Sequence, residues 1–179
     1  MHEPISHMPN PPAIDPMSAL QPVLRLAAPS RRAVFQGGED ARAAATSGGW
    51  KPGFPNIACR AATDAMSASL WMGPDEFLLL SPNEISFGSA LAGIAHSLVE
   101  VSHRQSGFEL FGARSAGLLN GGCPLDLDIG SFPVGMCTRT VFAKADIFLW
   151  RKAEDVFHFE VWRSFVDYTI RLLAEIARG

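Results

Sequence analysis

Ser102-His103-Arg104 is the best candidate for an active constellation in this chain. A histidine titrates near neutral pH and can act as acid or base, and an arginine beside it can hold an anion. Neighbouring residues of a strand, however, point to opposite faces. The run therefore predicts a strand end whose polar groups bond nearby backbone or a partner chain. Asp126 and Asp128, in Leu-Asp-Leu-Asp-Ile, would share a face of an extended segment as a carboxylate pair. Pro124 and Gly130 bracket them, which predicts solvated turn carboxylates rather than a metal or acid–base site. His2, His7, His96, His103 and His158 form no HxxxH or HxH pair, which argues against zinc. Gly117, Gly121 and Gly122 lack the GxGxxG spacing of a dinucleotide site, and there is no Walker loop. Cys59, Cys123 and Cys137 have no CxxC spacing. An odd count predicts reduced thiols in a cytoplasm, each a small core residue. The residues thus predict no catalytic, cofactor-binding or metal site in this chain.

Composition narrows the partners. With 15 basic and 18 acidic residues the formal charge is -3, which gives no electrostatic reason to expect nucleic acid or an anionic membrane. No apolar run approaches the roughly 18–20 residues that span a bilayer. Seven of the 13 prolines fall in residues 1–30, which predicts a flexible Pro-rich arm, disordered or laid on a partner subunit. That segment has no basic n-region and no apolar h-region, so it does not resemble a secretory signal.

The elements that would position these residues follow from periodicity. Residues 32–36 predict a strand and 39–46 a short alanine-rich helix, followed by a loop over 47–56. Residues 68–72 and 76–80 flank Gly73-Pro74-Asp75 and predict a hairpin. Ser81, Pro82 and Glu84 form the capping box of a helix whose buried stripe would be Phe87, Leu91, Ile94, Ala95 and Leu98. In the second half, 107–111 predicts a strand and 113–120 a short helix, stopped by a left-handed cap at Gly121-Gly122. Strands follow over 138–143, 145–151 and 156–162, with a polar turn at 152–155. In the last strand Phe157, Phe159 and Val161 alternate with His158 and Glu160, which predicts the polar pair facing outward. Ser164 would cap a final helix with a stripe of Val166, Ile170, Leu173 and Ala177, widened by Phe165, Leu172 and Ile176.

Both halves share one order: strand, short helix, strand, hairpin, strand, longer helix. VFQGGEDARAAA echoes ELFGARSAGLL, and LWMGPDEFLLLSPNEISFGSALAGI echoes IFLWRKAEDVFHFEVWRSFVDYTIRLL. The expected architecture is α+β: a pseudo-duplicated unit of antiparallel sheet covered by helices. Its divisions are the arm (1–30), a first half (31–98) and a second half (99–179), forming one compact domain.

Several runs, in order, resemble the gamma subunit of heterotetrameric sarcosine oxidase. They are Leu70-Trp71-Met72-Gly73-Pro74-Asp75-Glu76-Phe77-Leu78-Leu79, Val101-Ser102-His103-Arg104, Gly112-Ala113-Arg114 and Cys123-Pro124-Leu125-Asp126-Leu127. Phe132-Pro133, Arg139-Thr140, Lys144-Ala145 and Val161-Trp162-Arg163-Ser164-Phe165 complete the set. The first 60 residues match less clearly. The resemblance implies the fold of the folate-binding domain of the glycine-cleavage T-protein. It also implies a non-catalytic structural subunit that assembles with alpha, beta and delta subunits in the cytoplasm. That complex would demethylate sarcosine to glycine with oxygen and tetrahydrofolate, with FAD, FMN, NAD and tetrahydrofolate on the partner subunits. A stand-alone folate-binding protein of the T-protein type would need an enclosed carboxylate, for which Asp75, Asp126 and Glu160 are the candidates. A self-associating structural module is the third reading. Trp and Arg are enriched at binding hot spots, so Trp162 and Arg163 are the first expected interface residues and His103 and Arg104 the second.

Overall fold

A computed structural model describes residues 23–28 and 30–178. Most of the expected arm lies outside these. The part that is described departs from expectation, because Leu24–Leu26 is a strand, β1. After it come β2 (Arg31–Gly37), α1 (Glu39–Ser47), β3 (Ala61–Thr63), β4 (Ala68–Gly73), β5 (Glu76–Ser81) and β6 (His96–Glu100). The chain continues with β7 (Gln105–Phe111), α2 (Ser115–Asn120), β8 (Cys137–Phe142), β9 (Ala145–Ala153), β10 (Val156–Trp162) and α3 (Val166–Arg178).

Two five-stranded antiparallel sheets result, in the orders β3-β4-β5-β2-β6 and β8-β9-β10-β7-β1. The run β2-α1-β3-β4-β5 is therefore repeated as β7-α2-β8-β9-β10, with the same neighbours in each sheet. The outer edge strands are exchanged. β1 precedes the first run but closes the second sheet on β7, through the pairs Leu24–Leu110 and Leu26–Phe108. β6 precedes the second run but closes the first sheet on β2, through Phe35–Leu98 and Val34–Val99.

Three apolar clusters build four layers. Phe35, Phe77, Leu79, Phe87 and Leu91 pack the outer face of the first sheet against α1. Phe108, Phe157, Phe159, Leu149 and Val161 pack the outer face of the second against Leu118, Ile170 and Leu173 of α2 and α3. Between the sheets lie Leu70, Leu78, Leu80, Cys137, Phe148 and Trp150. A sheet face can shed water against helices or against another sheet, and here the central strands do both. β5 (Glu-Phe-Leu-Leu-Leu-Ser) is buried on both faces for this reason.

Four sequence expectations are corrected. No helix spans 82–98. Residues Gly88–Leu91 form one 3-10 turn and β6 follows. Ser81 Oγ does accept the Asn83 N–H at 3.1 Å. But Gly88 and Gly93 take φ of +50° and +77°, which no helix continues through, and the open edge of β2 offers a full ladder instead. Phe87, Leu91, Ile94 and Leu98 still reach one core, while Ala95 is exposed. Second, His158 and Glu160 point inward, because their face of β10 meets the other sheet rather than water. Third, α3 begins through a 3-10 turn, Arg163–Phe165, with no side-chain cap, and Phe165 is exposed instead of widening the buried stripe.

The fourth correction concerns Gly121 and Gly122. Gly121 has φ of -63°, so it is not a left-handed cap. Space is what requires these glycines: a Cβ on Gly121 would lie 2.7 Å from Ile176 Cγ2, and one on Gly122 2.6 Å from the buried Phe142 ring. Gly122→Ala is expected to cost about 1–3 kcal/mol by overpacking, and the larger Gly122→Asn more. Urea unfolding decides. Asparagine tolerated better than alanine would restore the left-handed cap, which asparagine accepts.

Candidate functional site

Three of the four expected interface residues, Trp162, Arg163 and Arg104, meet at the end of β10. Trp162 is 47% exposed, and the Arg104 guanidinium lies 5.0 Å from its ring centroid. Arg163 N–H donates to the Arg104 carbonyl at 3.0 Å. Arg104 comes from the turn that joins β6 to β7, so the β7–β10 pairing, which ends at Gln105–Trp162, brings the two segments together. A guanidinium over an indole contributes about 0.5–1 kcal/mol at an exposed site and holds both groups in one orientation. His103 stands apart from this stack, with Nδ1 3.6 Å from Glu100 Oε2. Ser102 is engaged elsewhere: its Oγ accepts the Arg32 backbone N–H at 2.8 Å. The serine and histidine therefore do not form a nucleophile–base pair.

Asp126 and Asp128 sit in the turn before β8. Asp126 Oδ1 accepts the Asp128 N–H at 3.0 Å and its Oδ2 accepts the Ser131 hydroxyl at 2.6 Å. The Ser131 bond, with the Asp128 N–H, holds the Asp126 carboxyl below the usual carboxylate range. Asp128 Oδ1 accepts the Gly130 N–H at 2.8 Å. Both side chains organise backbone. Among the described residues, no cluster of three or more His, Cys, Asp or Glu side chains is placed to share a metal ion. Among them, too, no helix is long and apolar enough to cross a membrane. Burial pushes the Cys137 thiol up to about 12. Cys123 is likewise buried, whereas Cys59, expected in the core, is only half-buried.

An ion cluster between the sheets was missed by sequence reasoning. Glu160, 1% exposed, takes Arg32 Nε–H on Oε2 at 2.6 Å, and His158 Nε2 lies 2.8 Å from its Oε1. Arg32 Nη1 also donates to the Ser30 carbonyl at 2.9 Å. Burial alone would raise the Glu160 carboxyl, but His158 and Arg32 outweigh it and hold the group below the ordinary glutamate range. Glycine at 107, directly opposite Glu160 in the ladder, makes room: a Cβ there would sit 2.5 Å from Arg32 Nη2 and 2.6 Å from Glu160 Oε1. Two residues along the same face, Glu109 binds Arg25 and Lys152, each at 2.6 Å. The sequence carries only a His-x-Glu alternation and a glycine at 107, and neither says that this face meets a second sheet.

These facts bear on pterin recognition. Asp75 pairs with Arg42 on an exposed turn, Asp126 is bound in its own turn, and both Glu160 oxygens are occupied. None of the three candidate carboxylates is both enclosed and uncommitted.

Two open clefts flank the cluster. One, of about 310 Å³, is lined by His158, Glu109, Trp150 and Lys152 and by the 63–68 segment. The other, of about 400 Å³, is lined by Met72, Arg104, Gln105, Arg139, Asp146 and Trp162 among others.

Two antiparallel sheets packed face to face, with helices outside, define a protein of the α+β class. The glycine cleavage system aminomethyltransferase T from Bartonella henselae matches with a TM-score of 0.58 over 84% of this chain and 43% of that one, at 13% identity, which establishes the fold alone. The model of the sarcosine oxidase, gamma subunit family matches residues 38–178, and the chain belongs to that family. The sarcosine oxidase subunit gamma of Corynebacterium sp. (strain U-96) is 31% identical over 143 residues, covering 77% of this chain and 68% of the relative. That of Corynebacterium sp. (strain P-1) is 30% identical over 113 residues, and the match spans 61% of this chain and only 56% of the relative's length. A chain of the heterotetrameric sarcosine oxidase from Corynebacterium sp. U-96, solved with pyrrole 2-carboxylate, superposes with a TM-score of 0.80 at 26% identity. The overlap covers 87% of this chain and 83% of that one.

Proposed function

We propose that this chain is the non-catalytic structural subunit of a heterotetrameric sarcosine oxidase. In that assembly alpha, beta and delta subunits carry FAD, FMN, NAD and tetrahydrofolate, and the complex demethylates sarcosine to glycine with oxygen in the cytoplasm. The observation that carries the reading is the near full-length likeness to a chain of a heterotetrameric sarcosine oxidase, over 87% of one and 83% of the other. The committed carboxylates favour it over a stand-alone folate protein. Trp162, Arg163, His103 and Arg104 form the proposed partner contact. Purified alone, the chain is expected to hold no flavin and oxidise no sarcosine. Co-expressed with the large subunits, it is expected to co-purify in a stable complex. A yellow, active isolated chain, or a chain that never joins the complex, overturns the proposal.

A further inference from the structure

The second sheet runs past the cover of the first. His158 and Glu160 on its inner face are buried, but Trp162, the next inward residue of β10, is exposed. Register extends this across the sheet. Gln105 pairs with Trp162, and Val141 pairs with Asp146, so these four side chains form one inward-facing row across β7, β10, β9 and β8. Val141, like Trp162, is exposed. With strands about 4.8 Å apart, the row is about 14 Å long, the reach of roughly four extended residues.

The polar groups along this row lack partners. Gln105 Oε1 is buried and accepts no hydrogen bond. Among the described residues Arg104, Arg163 and Asp146 make no ion pair, and the Arg104 guanidinium lies over the Trp162 indole. A buried acceptor without a donor carries an uncompensated desolvation cost, which is removed when the Gln105 amide turns out to meet an N–H. Beyond the row, Phe165 and Tyr168 pack edge to face at 6.3 Å and are 40% and 36% exposed. Three exposed aromatics within seven residues, beside two unpaired arginines, have the composition of a binding hot spot.

We propose that this row, resting on the subunit reading above, seats an extended segment of a partner subunit. The segment places an acidic side chain on Arg104 and donates an N–H to Gln105 Oε1 once that amide turns outward. Its apolar side chain lies against Trp162 and Met72. A peptide meets these demands because its backbone alternates donors and acceptors at strand spacing, and its carboxylate supplies the anion that Arg104 lacks.

The test is co-purification of the whole complex, with the chain co-expressed with the alpha, beta and delta subunits. Arg104→Glu and Trp162→Ala both fall at exposed positions and are expected to lower the melting temperature of the isolated chain by only about 1–4 °C, the worth of the stack between them. Each is expected to weaken assembly about thirtyfold, as loss of a hot-spot residue does. Arg104→Lys, which keeps the charge but not the planar fork, is expected to fall between. Variants that assemble like the wild type overturn the docking site and leave the subunit role intact. A wild-type chain that fails to assemble overturns both. Light scattering that shows a dimer of the pure chain, abolished by Arg104→Glu, replaces the partner segment with a second copy.

Discussion

Glu160→Ala is expected to lower the melting temperature by roughly 6–20 °C, since breaking one side of a buried ion pair costs about 3–5 kcal/mol and a chain of this size loses about 2–4 °C per kcal/mol. The reason lies in what remains. Arg32 is 8% exposed and keeps its charge, and with Glu160 gone the Ser30 carbonyl is, among the described residues, the one hydrogen-bond acceptor left to its side chain. Removing both charges separates the cost of orphaning a charge from the worth of the pair. Arg32→Met with Glu160→Leu is expected to recover most of the loss, because apolar groups of similar volume replace a buried pair at little net cost. Differential scanning calorimetry checks both variants, and a single Glu160→Ala change within 2 °C of wild type would mean that the cluster contributes nothing.

Acid sharpens the same test. The Glu160 carboxyl is held below its ordinary range in the folded state, so its contribution is complete above the unfolded glutamate value of about 4.3. It is lost as pH falls through the lower folded value. Glu109 is shifted the same way: Lys152 and Arg25 outweigh its burial. Wild type and the Met/Leu double variant share Glu109, so the steeper loss of stability in wild type below about pH 4.3 isolates Glu160. Parallel acid curves would refute the assignment.

This cluster shows where the sequence stops being informative. The alternation along β10 gave the strand, its period and its buried phenylalanine face, but not the direction of the polar pair. It could not say what the other face meets, because His-x-Glu facing water and His-x-Glu facing a second sheet have the same pattern. The hairpin at Gly73-Pro74-Asp75 was legible because its turn chemistry is local. The helix expected after Ser81 failed because its capping box is also local, whereas the competitor, the free edge of β2, lies some 45 residues earlier in the chain. Trp162 and Arg104 were singled out by residue type. Their stacking, and the uncovered row beside them, depend on how far one sheet overhangs the other, which no local pattern encodes.

The exchanged edge strands were the least legible feature, and Leu24 is the residue that tests them. It lies in a proline-rich segment, yet it is 0% exposed and packs in the helix-side core of the second sheet. β1 extends its ladder with Ala27 N–H to the Gly107 carbonyl at 2.9 Å and Phe111 N–H to the Val23 carbonyl at 2.8 Å. Leu24→Ala is expected to cost about 2–5 kcal/mol, or roughly 4–20 °C, from lost burial and the cavity it leaves. The location of the damage matters more than its size. β1 is attached in sequence to β2 of the first sheet, but hydrogen exchange is expected to accelerate first in β7 and β10 of the second. β1 stripped from β7 would also expose an unpaired edge, so the variant is expected to aggregate earlier on heating. Faster exchange confined to β2 and β5 would refute the exchange. Loss from β7 outward would establish that the short strand before the first repeat holds the second sheet in place. Only a sheet so held can present Gln105 and Trp162 as one fixed row to a partner.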